Sequence, residues 1–181
     1  FTIRLNNRKV LNGFFESLGL ENQISDILRN IDKLDKIGKD NVIEELEKLG
    51  IEKGKINNII DFISISGTES EKISALRALN VDNEKFAEGV DELEKVTEYM
   101  KDFGIEEDYF TIDLTIARGL DYYTGTVYET VLDDYRSLGS VCSGGRYDNL
   151  TEYYTNTKLP GIGISIGLTR LFSQLKDAGI I

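Results

Sequence analysis

The sequence predicts an α+β fold in which a mostly antiparallel sheet with flanking helices is interrupted by an all-helical insertion. Between residues 22 and 103 the apolar positions recur at the spacing of a helix. At Tyr109 the period changes to two, as in a strand with one buried face. Residues 1–5 alternate in the same way. One strand therefore precedes the helices, and the rest of the sheet follows them.

Helices fill the first half of the chain after the initial strand. One helix begins near Val10, and the following helical pattern is interrupted at residues 66–68. Thr68 and Glu71 have the spacing of a capping box, which starts a short helix. A longer helix follows from Phe86 to Phe103. The first helix has apolar residues at Val10, Leu11, Phe14, Phe15 and Leu18, and later blocks run through Ile24, Ile27, Leu28, Ile31, Leu34, Val42, Ile43, Leu46, Leu49, Ile56, Ile59, Ile60 and Ile63.

The second half of the chain carries the remaining strands. We expect strands at residues 109–116, 126–132, 139–143 and 161–167, joined by polar or glycine-containing connections. Short helices are expected after Gly145 and after Leu168. The chain then divides into sheet-forming segments at 1–19 and 108–181, separated by a helical insertion at 20–107.

The composition excludes several kinds of active site. The 181 residues include no histidine, no tryptophan and a single cysteine, which excludes a Ser-His-Asp triad, a Cys-His pair, a histidine-rich metal site and a disulfide framework. The first residue is Phe1 and the only methionine is Met100, so we expect a fragment of a longer protein. A membrane span and a secretory leader are not found in the sequence, and we expect a soluble, cytoplasmic protein.

The net charge of −11 is concentrated in the helical insertion. Residues 16–108 contain 24 acidic and 12 basic residues, and we interpret the acidic excess as the solvated outer faces of helices. Binding to nucleic-acid phosphates relies on clustered lysine and arginine. The composition therefore argues against a protein that binds nucleic acid on its own.

The first candidate motif is RGLDYYTGT at residues 118–126. Arg118 offers a permanently charged fork suited to a phosphate or carboxylate, and Tyr122 and Tyr123 offer hydroxyl groups on rigid rings. Together they could hold a small zwitterion or an acyl phosphate. The alternative is a plain hairpin in which Arg118 pairs with Asp121 and the tyrosines pack beneath.

The second candidate motif is SGGRYD at residues 143–148. Its consecutive glycines, Gly144 and Gly145, are expected at a strand-to-helix junction. They could let a ligand approach the backbone, or they could serve only the turn. On the residues alone, the turn is the better interpretation.

The third candidate motif is PGIGISIGLTR at residues 160–170. As a strand it places isoleucines on one face and glycines with Ser165 on the other, so the second face is nearly bare. Either a purine lies on this backbone and Arg170 reaches its phosphates, or a helix packs tightly against the glycines. The spacing fits neither a Walker loop nor the dinucleotide-binding fingerprint.

Together, the three motifs resemble the C-terminal half of the catalytic domain of the histidyl-tRNA synthetase family, which belongs to the class II aminoacyl-tRNA synthetases. Residues 118–123 resemble its first histidine-specific signature, residues 143–148 its second, and residues 161–170 the third class II motif. Residues 3–13 resemble the stretch where the family enters its helical insertion. In this comparison, segments 1–19 and 108–181 belong to the catalytic domain.

The resemblance implies ATP-dependent activation of histidine to an adenylate, followed by transfer to histidine tRNA, with Mg²⁺ accompanying ATP. Arg118 is implied as the main catalytic residue, binding the histidine carboxylate and the α-phosphate. The implied histidine-binding residues are Arg118, Tyr122, Tyr123, Gly144, Gly145 and Tyr147, and the implied ATP-binding residues are Gly167 and Arg170. No resident metal site in the protein is implied.

The resemblance also implies a homodimer in the intact parent protein. The first two class II motifs and the anticodon-binding domain are absent from this sequence, so we expect the fragment alone to be inactive. The alternative is a synthetase-like regulatory subunit of ATP phosphoribosyltransferase in histidine biosynthesis, which would bind histidine without charging tRNA. The arginines at 118 and 170 favour the ligase, because a sensor has no need of residues that handle ATP.

Overall fold

A five-stranded sheet lies at the centre of the computed structural model, which describes residues 1–117, 122–149, 152, 155–157 and 159–181. Its strand order is β2-β1-β3-β4-β5. β1 and β2 are parallel, and the other three neighbouring pairs are antiparallel. The α+β class and the mostly antiparallel sheet are thereby confirmed. The strands are β1 (Thr2–Asn7), β2 (Phe110–Ile112), β3 (Thr126–Val131), β4 (Ser140–Tyr147) and β5 (Gly161–Ile166).

The helices form where the apolar periodicity predicts them. The capping box is present: Glu71 N–H donates to the Thr68 hydroxyl at 3.3 Å, and Thr68 N–H donates to Glu71 Oε2 at 2.7 Å. Among the described residues, none of the helices has the length and apolar character needed to cross a membrane. The helices are α1 (Arg8–Ser17), α2 (Ile24–Ile31), α3 (Leu34–Ile37), α4 (Lys39–Lys48), α5 (Lys53–Ile63), α6 (Glu69–Ala78), α7 (Glu84–Asp102) and α8 (Leu168–Asp177).

Helices α1 to α7 together connect two neighbouring parallel strands. β1 and β2 pair with Ile3 opposite Phe110 and Leu5 opposite Ile112. Parallel neighbours cannot be joined by a tight turn and need a crossover, which is commonly helical. Helices α1 to α7 therefore form the crossover that this parallel pair of strands requires.

The main hydrophobic core joins α1 to the insertion. The rings of Phe14 on α1 and Phe62 on α5 are stacked with centroids 4.0 Å apart and an interplanar angle of 10°. The same cluster of buried side chains includes Leu114 and Ala117, which follow β2. Burying this apolar surface is the main force that holds α1 and the insertion together.

Helix α7 lies unusually close to α1. A Cβ atom built on Gly89 would come within 2.6 Å of the backbone nitrogen of Val10, and one built on Gly13 would come within 2.5 Å of the backbone nitrogen of Phe86. Only glycine permits such an approach of two helix backbones. The position of α7 on α1 is therefore sterically defined.

Two strand boundaries differ from the sequence prediction. β2 ends at Ile112 because the Asp113 carboxylate accepts hydrogen bonds from the backbone N–H and the hydroxyl of Thr115, at 2.9 and 2.6 Å, which turns the chain. β4 continues to Tyr147, beyond the predicted end at residue 143. The helix predicted directly after Gly145 is therefore wrong, since that glycine lies within the strand.

The charge pattern predicts that the acidic residues between 16 and 108 are solvated, but one of them is buried. Glu69 is buried and accepts hydrogen bonds from Lys72 Nζ at 3.0 Å and from Ile112 N–H at 2.5 Å. It thereby ties the start of α6 to β2. A buried carboxylate needs such partners because desolvation penalises its charged form.

Candidate functional site

Glycines on one face of β4 and β5 make room for aromatic rings. The strand register pairs Gly145 with Gly163 and Tyr147 with Gly161, and directly paired residues share a face of the sheet. This face therefore brings together residues from the second and third sequence motifs. Tyr123, from the first motif, lies on the same face.

Tyr123 packs on the backbone of Gly145. A Cβ atom built on Gly145 would lie 2.8 Å from Tyr123 Cδ1, so a larger residue would displace the ring. The Tyr122 ring is next to it, with centroids 4.3 Å apart and an interplanar angle of 50°, and Tyr122 is 52% exposed. Tyr123 thus lies on the sheet, and Tyr122 lies beside it and faces solvent.

Tyr147 lies on the glycines of β5. Cβ atoms built on Gly161 and Gly163 would lie 2.3 Å from Tyr147 Cε2 and 3.2 Å from Tyr147 Cε1. The glycine face predicted to be bare is therefore covered over half of its length by this ring. Only the end at Ser165 and Gly167 is left for a flat ligand on the backbone.

The hydroxyls of Tyr123 and Tyr128 remain protonated at neutral pH, because the pKa of each is raised. Burial raises the pKa of Tyr123, and a hydrogen bond with Tyr122 and unfavourable interactions with Tyr128 and Tyr147 raise it further. Burial also raises the pKa of Tyr128. A protonated phenol both donates and accepts a hydrogen bond, so the site offers polar groups without negative charge.

Gly144 faces the opposite side of the sheet from these rings. It pairs with Tyr128 and Ile164, and a Cβ atom built on it would lie 2.6 Å from the Tyr128 hydroxyl. That hydroxyl crosses Gly144 and donates to the carbonyl of Gly163 at 2.8 Å. Gly144 and Gly145 thus face opposite sides of the sheet, because consecutive strand residues point to opposite faces; a shared role of the two glycines in the pocket stays a prediction.

A network of hydrogen bonds attaches the tyrosine loop, residues 122–125, to β4. The Thr124 hydroxyl donates to Asp148 Oδ2 at 2.7 Å, and Thr124 N–H donates to the carbonyl of Arg146 at 2.9 Å. Arg146 Nε donates to the other Asp148 oxygen at 3.0 Å. Burial alone would raise the pKa of Asp148, but the hydrogen bonds from Thr124 and Arg146 outweigh it, so that the pKa is lowered. Thr124 and Asp148 lie within the first and second sequence motifs, but the sequence alone predicts no role for either.

Gly167 and Arg170 lie at the other end of β5 from Tyr147. Arg170 is in the first turn of α8, as expected, and its Nη1 donates to the carbonyl of Ser140 at 3.5 Å. Gly161 and Gly167 are six positions apart, a distance of about 20 Å along an extended strand. The glycine face therefore has the tyrosines at one end and an exposed guanidinium at the other.

The sequence-predicted Arg118 lies outside the described residues, as do Gly119 and Asp121. Within the described part of the chain, no group of three or more cysteine, aspartate and glutamate side chains could hold a metal ion.

The family model described as histidyl-tRNA synthetase matches residues 1–171 of the chain. The chain belongs to the histidyl-tRNA synthetase family. The histidine–tRNA ligase of Clostridium tetani is 64% identical over the whole chain, which spans 41% of that relative. The histidyl-tRNA synthetase structure from Nostoc sp. PCC 7120 superimposes with a TM-score of 0.96 at 50% identity, over 99% of this chain and 43% of that one.

A more distant structure shares the fold alone. It is described as an ATP phosphoribosyltransferase regulatory subunit/histidyl-tRNA synthetase from Bacillus halodurans, with a TM-score of 0.77 at 23% identity, over 96% of this chain and 44% of that chain. The chain thus spans about two fifths of the relatives it matches.

Proposed function

We propose that this chain is part of the catalytic region of a histidine–tRNA ligase, which uses ATP to form histidyl adenylate and transfers histidine to its tRNA. In this proposal, residues 1–19 and 108–181 are catalytic segments and residues 20–107 are a helical insertion. The strongest support from the relatives is the 64% identity to a histidine–tRNA ligase over the full chain. The proposal extends to a cytoplasmic class II enzyme that acts as a homodimer.

The arrangement of Tyr122, Tyr123 and Tyr147 on the glycine face carries the proposal. A neutral imidazole is flat and has one donor and one acceptor nitrogen. The Tyr123 hydroxyl, kept protonated by its raised pKa, can satisfy either nitrogen without a charge. The rings of Tyr122 and Tyr123, the second of which is supported from behind by the backbone of Gly145, offer flat walls to the imidazole.

The end of the glycine face that Tyr147 leaves open, at Ser165 and Gly167, suits a second ligand beside histidine. We propose that the nucleotide extends from the tyrosines towards Gly167 and that Arg170 binds the triphosphate end. Arg118, as predicted from sequence, would hold the histidine carboxylate against the α-phosphate. Mg²⁺ bound to ATP would supply further neutralisation of phosphate charge.

The chemistry needs positioning and charge stabilisation more than a base. The histidine carboxylate is already ionised at neutral pH. Its oxygen forms a bond to the α-phosphorus while the bond to pyrophosphate breaks, and the electron pair leaves with pyrophosphate. Arginine donors aimed at this centre lower the barrier by binding the developing charge. A chain without histidine residues can therefore contribute to this reaction.

Substitution of Tyr123 in the intact protein tests the proposed site. We expect Tyr123→Phe to raise KM for histidine about tenfold, because a hydroxyl contact to the ligand is lost, and to leave KM for ATP unchanged. Tyr99→Phe, at an exposed tyrosine of α7, is the matched control. An unchanged KM for histidine would contradict the assignment of Tyr123.

Substitution of Arg118 separates the ligase from a regulatory subunit. We expect Arg118→Ala to reduce histidine-dependent pyrophosphate exchange by the intact protein by about 10²- to 10³-fold. The 181-residue chain alone should show no such exchange. A wild-type intact protein that binds histidine but forms no adenylate would favour the regulatory alternative.

A further inference from the structure

Glu92 of α7 lies between the start of α1 and the tyrosine loop. Its Oε2 accepts a hydrogen bond from Asn7 Nδ2, and its Oε1 pairs with Lys9 Nζ, both at 2.7 Å. Asn7 is fully buried, and the Glu92 side chain is 29% exposed. Glu88 also pairs with Lys9 but is 61% exposed. Glu92 is therefore the more enclosed of the two carboxylates.

The backbone beneath Glu92 is fixed in place. Glu92 follows Gly89 by almost one helical turn, at the point where α7 contacts the backbone of Val10 most closely. Asn7 is also constrained, because its Oδ1 caps α1 by accepting a hydrogen bond from Lys9 N–H at 2.9 Å. The packing of α7 on α1 and the cap at the start of α1 thus position Glu92 and Asn7 for their hydrogen bond.

The same carboxylate faces the back of the tyrosine loop. A Cβ atom built on Gly125 would lie 3.5 Å from Glu92 Oε2 and 3.0 Å from Arg146 Cδ. The carbonyl of Gly125 accepts a hydrogen bond from Arg8 N–H at 2.9 Å. The loop therefore lies against Glu92, the first turn of α1 and Arg146.

Two cations, Lys9 and Arg146, interact electrostatically with this carboxylate. Burial alone would lower the pKa of Lys9, but its hydrogen bonds with Glu88 and Glu92 raise it. The hydrogen bond with Asp148 raises the pKa of Arg146, and attraction to Glu92 and Glu88 raises it further. Glu92 therefore lies between a cation of α1, Lys9, and a cation of β4, Arg146, and is attracted to both.

We infer that Glu92 is a positioning residue that holds the tyrosine loop between α1 and β4, so that Tyr123 stays on Gly145. The inference rests on the proposed function, because it assumes that this loop binds histidine. It gives the helical insertion a direct part in forming that site, through a residue that does not touch the ligand.

Glu92→Ala and Glu92→Gln in the intact protein test the inference. We expect Glu92→Ala to accelerate amide hydrogen exchange in residues 122–126 by about tenfold, because the loop opens locally more often. Glu92→Gln should have a smaller effect, since its carbonyl still accepts from Asn7. In Glu92→Ala the KM for histidine should rise while the KM for ATP is unchanged. Glu94→Gln, which removes the same charge where the helix pairs with Arg77, should change neither measurement.

Lys9→Met provides an independent variant, because it removes the cation bound to the same carboxylate. It should also accelerate exchange in residues 122–126. Unchanged exchange in this segment of Glu92→Ala, or equal acceleration throughout the protein, would overturn the inference. Faster exchange with an unchanged KM for histidine would support the positioning contact and contradict the proposed histidine pocket.

Discussion

Tyr147 lies so close to Gly161 that a Cβ atom on the glycine would be 2.3 Å from Tyr147 Cε2. This contact joins the second sequence motif to the third. It also determines how much of the length of the glycine face remains open. The candidate site thus depends on Gly161, which leaves room for the Tyr147 ring because it has no side chain.

Replacing Gly161 by alanine in the intact protein should displace the Tyr147 ring. We expect the KM for histidine to rise by about tenfold, because a wall of the pocket moves. Steady-state aminoacylation at varied histidine concentrations measures this. Gly54→Ala is a suitable control, since a Cβ atom there meets no other atom within 4 Å. Unchanged kinetics in Gly161→Ala would show that Tyr147 does not line the histidine site.

The contact between α1 and α7 should tolerate no side chain at Gly89. Alanine has the higher helix propensity, by about 1 kcal/mol, but its Cβ would overlap the backbone of Val10. We expect Gly89→Ala to destabilise the protein by about 1 to 3 kcal/mol through overpacking. Thermal and urea denaturation measure this, with Gly54→Ala in α5 expected to be neutral or stabilising. A stabilised Gly89→Ala variant would show that the helices can separate without cost.

The ion pair between Arg4 and Asp113 should make stability dependent on pH in the acid range. Arg4 Nη2 lies 2.6 Å from Asp113 Oδ2. Burial alone would raise the pKa of Asp113, but the charge of Arg4 and the hydrogen bonds from Thr115 and Arg4 lower it. A carboxyl group with a lowered folded pKa stabilises the protein above its unfolded pKa, about 3.9, and this contribution is lost as the pH falls through the folded value.

We therefore expect Asp113→Asn to lower the free energy of unfolding by about 1 to 3 kcal/mol at neutral pH. The difference from wild type should be constant between about pH 7 and pH 5 and should shrink below about pH 4. Urea denaturation at several pH values measures this. Asp61→Asn, at an exposed position of α5, is the control. A difference that stays constant down to pH 2 would contradict the role of the charge.

Local sequence signals predict the elements of this fold well. The helical periodicity, the Thr68–Glu71 capping box and the strand over residues 161–166 all depend on near neighbours in the chain. The end of β2 is missed because Leu114 and Ile116 stay buried and apolar beyond the turn at Asp113. Residues 113–116 thus keep the alternating burial of a strand without forming one, and an alternation pattern indicates only burial.

The details of the candidate site are less accessible from one sequence. The opposite directions of Gly144 and Gly145 follow only once β4 is known to continue through both. The contact of Tyr147 with Gly161 requires the register between β4 and β5. The charge pattern predicts Glu92 to be solvated, because Asn7 and Lys9, which enclose it, are more than 80 positions away in the chain.

The crossover from β1 to β2 has a consequence for any attempt to shorten the protein. Phe14 on α1 stacks on Phe62 of α5. Deletion of residues 20–107 would therefore expose the apolar face of α1 to solvent. β1 and β2 would also lose the long crossover that allows them to be parallel neighbours. We expect residues 1–17 and residues 20–107 to unfold in a single transition. A chimaera that takes residues 20–107 from a relative should therefore take α1 from the same relative.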